Sequence, residues 1–168
     1  MKQLKLLMVA VALFMGATLT AQDKLGHINS QEILQLLPER AQAEQAIADF
    51  QAQLENRMQS LMAEYQTKVQ AFQALPAETP ETTANDMREE ILEMEQRIQK
   101  YQVSADQELT LKQQELVAPM LEKVQNAINE VGKENGFTYI YDSSTGVLVY
   151  INGEDITPLV KTKLGITG

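Results

Sequence analysis

Apolar side chains in the middle of this chain recur at helical spacing over a long distance. Ile47, Phe50, Leu54, Met58, Leu61, Tyr65, Val69 and Phe72 follow one another at steps of three or four residues. The steps repeat every eleven residues, about 3.67 per turn, which predicts a nearly straight or slightly right-handed seam rather than a left-handed heptad coil. A helix from Glu39 to Leu75 is about 55 Å long at 1.5 Å per residue. Leu75-Pro76-Ala77-Glu78-Thr79-Pro80 then breaks the pattern with two prolines and predicts a loop. The stripe resumes with Met87, Ile91, Met94, Ile98, Tyr101, Ala105 and Leu109. After polar Lys112 and Gln113 it continues through Leu116, Met120, Val124, Ala127 or Ile128, and Val131. Pro119 lies inside this second helix, where it removes one backbone bond and crowds the preceding turn. A kink is expected there, and Pro119 is the candidate hinge. If the chain reverses at 76–80, residue numbers across the pair sum to about 156. Tyr65 then lies near Ile91, Met58 near Ile98 and Ile47 near Leu109. The prediction is a long antiparallel helical hairpin.

The period changes at both ends. Lys24-Leu25-Gly26-His27-Ile28-Asn29 reads as a short strand. Ser30 is the expected N-cap of an apolar helical turn or two that Pro38 bends or restarts. Gly132 and Gly136 are expected to stop the long return helix. Phe137–Tyr141 and Gly146–Ile151 read as strands, and Asp142-Ser143-Ser144-Thr145 between them is a β-hairpin signal. Thr157-Pro158 opens a last helix through Leu164, closed by Gly165. The expected fold is α+β, mostly α: a helical arm on a small three-stranded base. The expected organisation is residues 1–21 as a leader, 22–38 and 120–168 as the base, and 39–119 as the arm, with its tip at 76–80. Three short strands and a short helix bury little by themselves. The base is therefore expected to associate with other copies, and Ile28, Ile140, Leu148 and Tyr150 are the candidate oligomerisation residues.

Composition sharpens this picture. Of eight Gly in 168 residues, none falls between residues 27 and 131, as long unbroken helices require. There is no Cys and a single His, which removes disulfides, thiol chemistry and a His-based metal cluster; no metal site is expected. The net charge is −9, so the basic footprint of a nucleic-acid binder is missing. Lys2 and Lys5, the apolar Leu6–Met15 stretch and the small-residue run Ala17–Ala21 form an export signal, with cleavage expected before Gln22. Its apolar run is shorter than the ~20 residues a spanning helix needs. Export to the periplasm is the expected destination, without stable membrane insertion.

Leader, strand, long helical hairpin, β-hairpin and closing helix form an order that resembles the OmpH/Skp family of periplasmic chaperones. Leu25-Gly26-His27-Ile28-Asn29-Ser30, followed by Glu32-Ile33-Leu34 and Leu37-Pro38-Glu39, is similar to the family's first strand and helix. Glu134-Asn135-Gly136-Phe137-Thr138-Tyr139-Ile140-Tyr141-Asp142 is similar to its second strand. Tyr150 and Asp155-Ile156-Thr157 resemble its closing motif. The resemblance implies an ATP-independent holdase whose β-rich bases associate as a homotrimer. The arms would then surround a cavity that holds unfolded outer-membrane proteins. No cofactor is expected, since no nucleotide-binding Gly loop is present and many weak contacts can supply the affinity.

Within that reading, Met58, Met62, Leu92 and Met94 are the candidate client-binding residues, Met being an adaptable contact for varied apolar partners. Met58 and Met94 also belong to the stripes, where packing against the partner helix is the plainer role. The best-known family members are strongly basic, whereas the tip and early return helix here contain Glu78, Glu81, Asp86, Glu89, Glu90, Glu93 and Glu95 against Arg88. Cationic segments or plain apolar exposure are therefore expected to dominate client binding. The spacing of the acidic residues matches no calcium loop. Asp155 and Thr157 read as capping residues, and His27 as an ordinary strand residue with no proton-transfer partner. No acid–base or nucleophile constellation suggests an enzyme. The alternative to a chaperone is a structural coiled-coil adaptor of the envelope.

Overall fold

A computed structural model describes residues 23–166. The expected leader, residues 1–21, lies outside the described residues. The chain runs β1 (Leu25–Ile28), α1 (Ser30–Leu36), α2 (Glu39–Gln73), α3 (Glu81–Glu134), β2 (Tyr139–Asp142), a 3-10 turn (Ser143–Thr145), β3 (Glu154–Asp155) and α4 (Thr157–Lys163).

α2 and α3 form the long hairpin, turned by residues 74–80. With 35 residues, α2 is about 52 Å long. At the tip, Thr79 Oγ1 donates to the Pro76 carbonyl at 2.7 Å. Every stripe position is buried or half-buried, with Leu61 and Met94 nearly sealed at 2% and 3% exposure. Polar pairs across the seam confirm the antiparallel register. Lys68 reaches Glu90 at 2.6 Å, Arg97 reaches Glu64 at 2.6 Å, and the Tyr101 hydroxyl donates to the Leu54 carbonyl at 3.1 Å. α3 is a single 54-residue helix that continues through Pro119.

The base packs β1, α1, the foot of α2 and α3, and α4 into one core. Ile33, Ile156 and Val160 are fully sealed there, with Met120, Val124 and Val131 contributed by α3. Two local expectations shift by a residue or more. The N-cap of α1 is Asn29, whose side chain accepts from the Glu32 amide, and this frees Ser30 for another bond. Gly132 does not stop α3, which runs on to Glu134. It is buried against β2, where an added Cβ would sit 2.9 Å from Ile140 Cδ1.

The sheet differs from the expected hairpin. It has three strands in the order β2-β1-β3, and both neighbours of β1 are parallel to it. The α2–α3 arm returns the chain to the end where β1 began, as the Thr138 amide bonded to the Lys24 carbonyl at 2.8 Å shows. A crossover of this kind is what a parallel pair requires. Residues 146–151 form no strand. The 3-10 turn and Gly146, at φ 68°, lead the chain away from β2. It then crosses to the far edge of β1, where the Ile156 amide donates to the His27 carbonyl at 2.9 Å. Strand-forming side chains at Val147–Ile151 supply propensity but no partner, so local pattern alone misassigns the third strand.

Candidate functional site

The two regions expected to have function are the arm surface and the base. On the arm, Met62 and Leu92 are open, at 41% and 52% exposure. Met58 is half-buried in a shallow groove of about 220 Å³ lined also by Leu54, Tyr101 and Leu109. Met94 is a core residue of the hairpin and presents no contact surface, because its position on the stripe points it at the partner helix. The structure adds four open apolar residues that the stripes did not select: Val103, Leu111, Val117 and Leu121. Eleven residues, three turns, separate Leu92 from Val103. This was the signal available in the sequence.

Pro119 lines an open groove of about 430 Å³ at the root of the arm, with Ala43, Ala46, Leu116 and Met120. Small side chains on α2 leave room opposite the proline. Lys123 and Glu39 bridge the two helices beside it, and this contact holds the Glu39 carboxyl below its ordinary range. The other Glu39 oxygen is buried without a hydrogen-bond partner among the described residues. Further out, the Tyr65 hydroxyl donates to Glu95 at 2.8 Å, which raises the phenol above its ordinary value.

In the base, Asp142 ties three elements together. Its Oδ1 accepts from the Ser30 amide at 3.2 Å and the Ser144 amide at 2.9 Å, and its Oδ2 accepts from the Ser30 hydroxyl. Partial burial pushes this carboxyl up, but the bonds from Ser30 and Ser144 outweigh it and the net shift is downward. Asp155 behaves likewise. Burial raises it, while the Thr157 hydroxyl and amide and the charges of His27 and Lys161 bring it below the usual carboxylate range. Its Oδ1 accepts the Thr157 amide at 2.9 Å at the start of α4, where the N-cap position is Ile156 and the expected cap Thr157 is instead the first helical residue.

The oligomerisation candidates separate into two groups. Ile28 is sealed in its own chain's core at 2% exposure, because it alternates inward along β1, and it offers no surface. Ile140 and Leu148 are half-buried, and Tyr150 stands open at 80%. The outward positions of the sheet, missed from sequence, are more open than Ile28, Ile140 and Leu148: Leu25 at 44%, with Tyr139 and Tyr141 stacked at 6.4 Å between ring centroids. Val147 and Val149, on the segment after the 3-10 turn, are exposed as well. These residues share no catalytic arrangement. His27 lies mid-strand with an unpartnered Nδ1, and among the described residues no group of three or more His, Cys, Asp or Glu is placed to hold a metal. No helix among them is long and apolar enough to cross a membrane.

Comparison with known proteins bears on both regions. Residues 24–164 match the family profile described as outer membrane protein (OmpH-like). Chaperone protein Skp of Photorhabdus laumondii subsp. laumondii is 24% identical over 155 residues, covering 90% of each chain. Chaperone protein Skp of Photorhabdus luminescens is 26% identical over 151 residues, covering 89% of this chain and 90% of the relative.

Proposed function

From a chain that belongs to the OmpH-like family of outer membrane proteins, whose chaperone relatives are not enzymes, we propose an ATP-independent periplasmic holdase for unfolded outer-membrane proteins. The observation that carries this reading is the state of the arm. Two helices cannot cover each other fully, so apolar side chains stay open along the hairpin from Met62 and Leu92 down to Leu121. Extended apolar surface of this kind is unusual on a self-sufficient monomer and suits an unfolded chain held by many weak contacts.

The base supports association of copies, with three as the expected number. Tyr139, Tyr141, Val149 and Tyr150 are uncovered in one chain, and the outer edge of β2 is unpaired in its own sheet. An open edge beside an unpaired strand-forming segment favours pairing with another copy. We divide the molecule accordingly into a base formed by the two ends of the chain and an arm between them. Cleavage of the leader would deliver this assembly to the periplasm.

The test dilutes a denatured outer-membrane β-barrel with and without the purified protein and follows light scattering, alongside the protein's mass in solution. A trimer that suppresses aggregation without nucleotide is expected. A monomer that leaves aggregation unchanged defeats the reading, and an oligomer without suppression returns the molecule to the role of structural adaptor. Cell fractionation, with the N-terminus of the recovered protein read directly, checks export and cleavage.

A further inference from the structure

We infer that the arm is selective for unfolded segments that combine apolar and basic side chains, and that the contact surface is a second apolar line on α3, separate from the hairpin seam. The inference rests on the holdase reading and names the kind of client that this surface fits.

Leu92, Val103, Val117 and Leu121 are 52%, 59%, 39% and 50% exposed. Their spacings of eleven, fourteen and four residues bring them onto one face of the helix, about a third of a turn from the seam that contains Met94 and Met120. The line is about 44 Å long, and the positions between its apolar residues on that face are Gln96, Gln99, Asp106, Thr110 and Gln114. An apolar ridge with Asp106 as its one carboxylate thus runs along the arm of a chain whose net charge is −9.

The charges beside the ridge have one dominant sign. Glu89, Glu93, Asp106 and Glu122 form no ion pair with any described residue. The cations of this stretch are mostly committed: Arg97 binds Glu64 on α2 at 2.6 Å, and Lys112 binds Glu115 at 3.0 Å. Lys100, and Arg88 at the start of the stretch, whose guanidinium donates to Asn85 at 2.7 Å, have no carboxylate partner among the described residues. A segment with Lys or Arg among its apolar residues can bury the latter on the ridge and place its cations beside these carboxylates. An acidic segment of equal apolarity meets like charge along the same track, which costs affinity and slows encounter.

The experiment uses the full protein and three fluorescent twenty-residue peptides that share one set of apolar residues. Their polar positions are Lys/Arg, Gln or Asp/Glu. Binding is read by anisotropy at low and high salt, with barrel aggregation followed in parallel. The basic peptide is expected to bind about tenfold or more tighter than the acidic one in low salt, with the gap narrowing as salt screens it. Glu89→Gln/Glu93→Gln/Asp106→Gln/Glu122→Gln, all surface changes, should abolish that preference while binding of the Gln peptide remains. Leu92→Gln/Val103→Gln/Val117→Gln/Leu121→Gln should weaken all three peptides at unchanged mass and helix content. Equal binding of acidic and basic peptides, or a charge variant that keeps the preference, overturns the inference while aggregation suppression leaves the holdase reading standing. Absence of suppression sinks that reading and the inference together. A ridge variant of lower mass would mean that a second copy covers the ridge, and would also overturn the inference.

Discussion

Replacing Asp142 tests how the base is held together, because one carboxylate joins β2, the 3-10 turn and the start of α1. Asp142→Asn keeps an oxygen for the Ser30 and Ser144 amides and places an NH2 where Oδ2 stood, facing the Ser30 hydroxyl, which can turn to accept. Shape and hydrogen-bond number are nearly preserved, so the loss is that of charge assistance. Bonds to a charged acceptor contribute about 1.5–3 kcal/mol and neutral ones about 0.5–1.5. The site is only partly buried, so we expect a net loss of about 1–2 kcal/mol. Asp142→Ala, which strands both amides, should cost about 2–3 kcal/mol. The pH dependence has a definite sign. The folded carboxyl titrates below its ordinary value, so its contribution is complete above the unfolded Asp range and is lost as pH falls through the folded value. Wild type and Asp142→Asn should therefore differ by a constant amount at neutral pH and converge below about pH 4. Asp155, also shifted down, supplies an acid loss common to both proteins. Calorimetric unfolding from pH 7 to pH 3 reads the difference, and amide exchange at Ser30 and Ser144 localises it. Equal stability at neutral pH, or a gap that stays open into acid, refutes the reasoning.

The same physics sets three further expectations. Leu61→Ala removes a sealed contact from the hairpin seam and should cost about 2–4 kcal/mol; amide exchange should accelerate at the middle of both helices while the base keeps its protection. Gly132→Ala gains helix propensity of about 1 kcal/mol against a Cβ placed 2.9 Å from a movable Ile140 end, and should be nearly neutral in thermal unfolding. Gly132→Val adds bulk that the contact cannot absorb and should cost about 1–3 kcal/mol. Pro119→Ala restores a backbone donor inside α3 and should slow amide exchange over residues 116–123, by an amount equivalent to about 1–3 kcal/mol.

The arm was legible in the sequence because one repeated physical requirement specifies it. Each seam position from Ile47 to Phe72 and from Met87 to Leu109 had to meet the other helix, and spacing alone fixes which face does so. The pairs Lys68–Glu90 and Arg97–Glu64 then fall where the reversal at 76–80 places them. Periodicity could not separate Met94, which closes the seam, from Leu92, two residues earlier and on open surface, as client contacts. The distinction is one of angle around the helix. It becomes visible when Leu92 is aligned with Val103 and Val117 instead of with the seam.

The base was less legible, for a reason that also bears on assembly. Val147–Ile151 has β-branched and aromatic side chains without a ladder to join in its own chain, and Val149 is entirely exposed. Propensity reports how well a residue fits a pleated surface, whereas the partner is chosen by topology. Here topology gives both edges of β1 to parallel neighbours, with Asp142 and Gly146 turning the intervening chain out of the sheet. A segment selected to look like a strand and then kept out of its own sheet conflicts with its local sequence, and such conflicts concentrate at functional sites. We propose that a neighbouring copy resolves it by supplying the missing ladder. Tyr150→Asp puts a charge at the most exposed aromatic of that segment, so it should shift the protein's mass toward monomer in sedimentation without disturbing the core around Ile156 and Val160. An unchanged mass would leave the segment without a role in assembly.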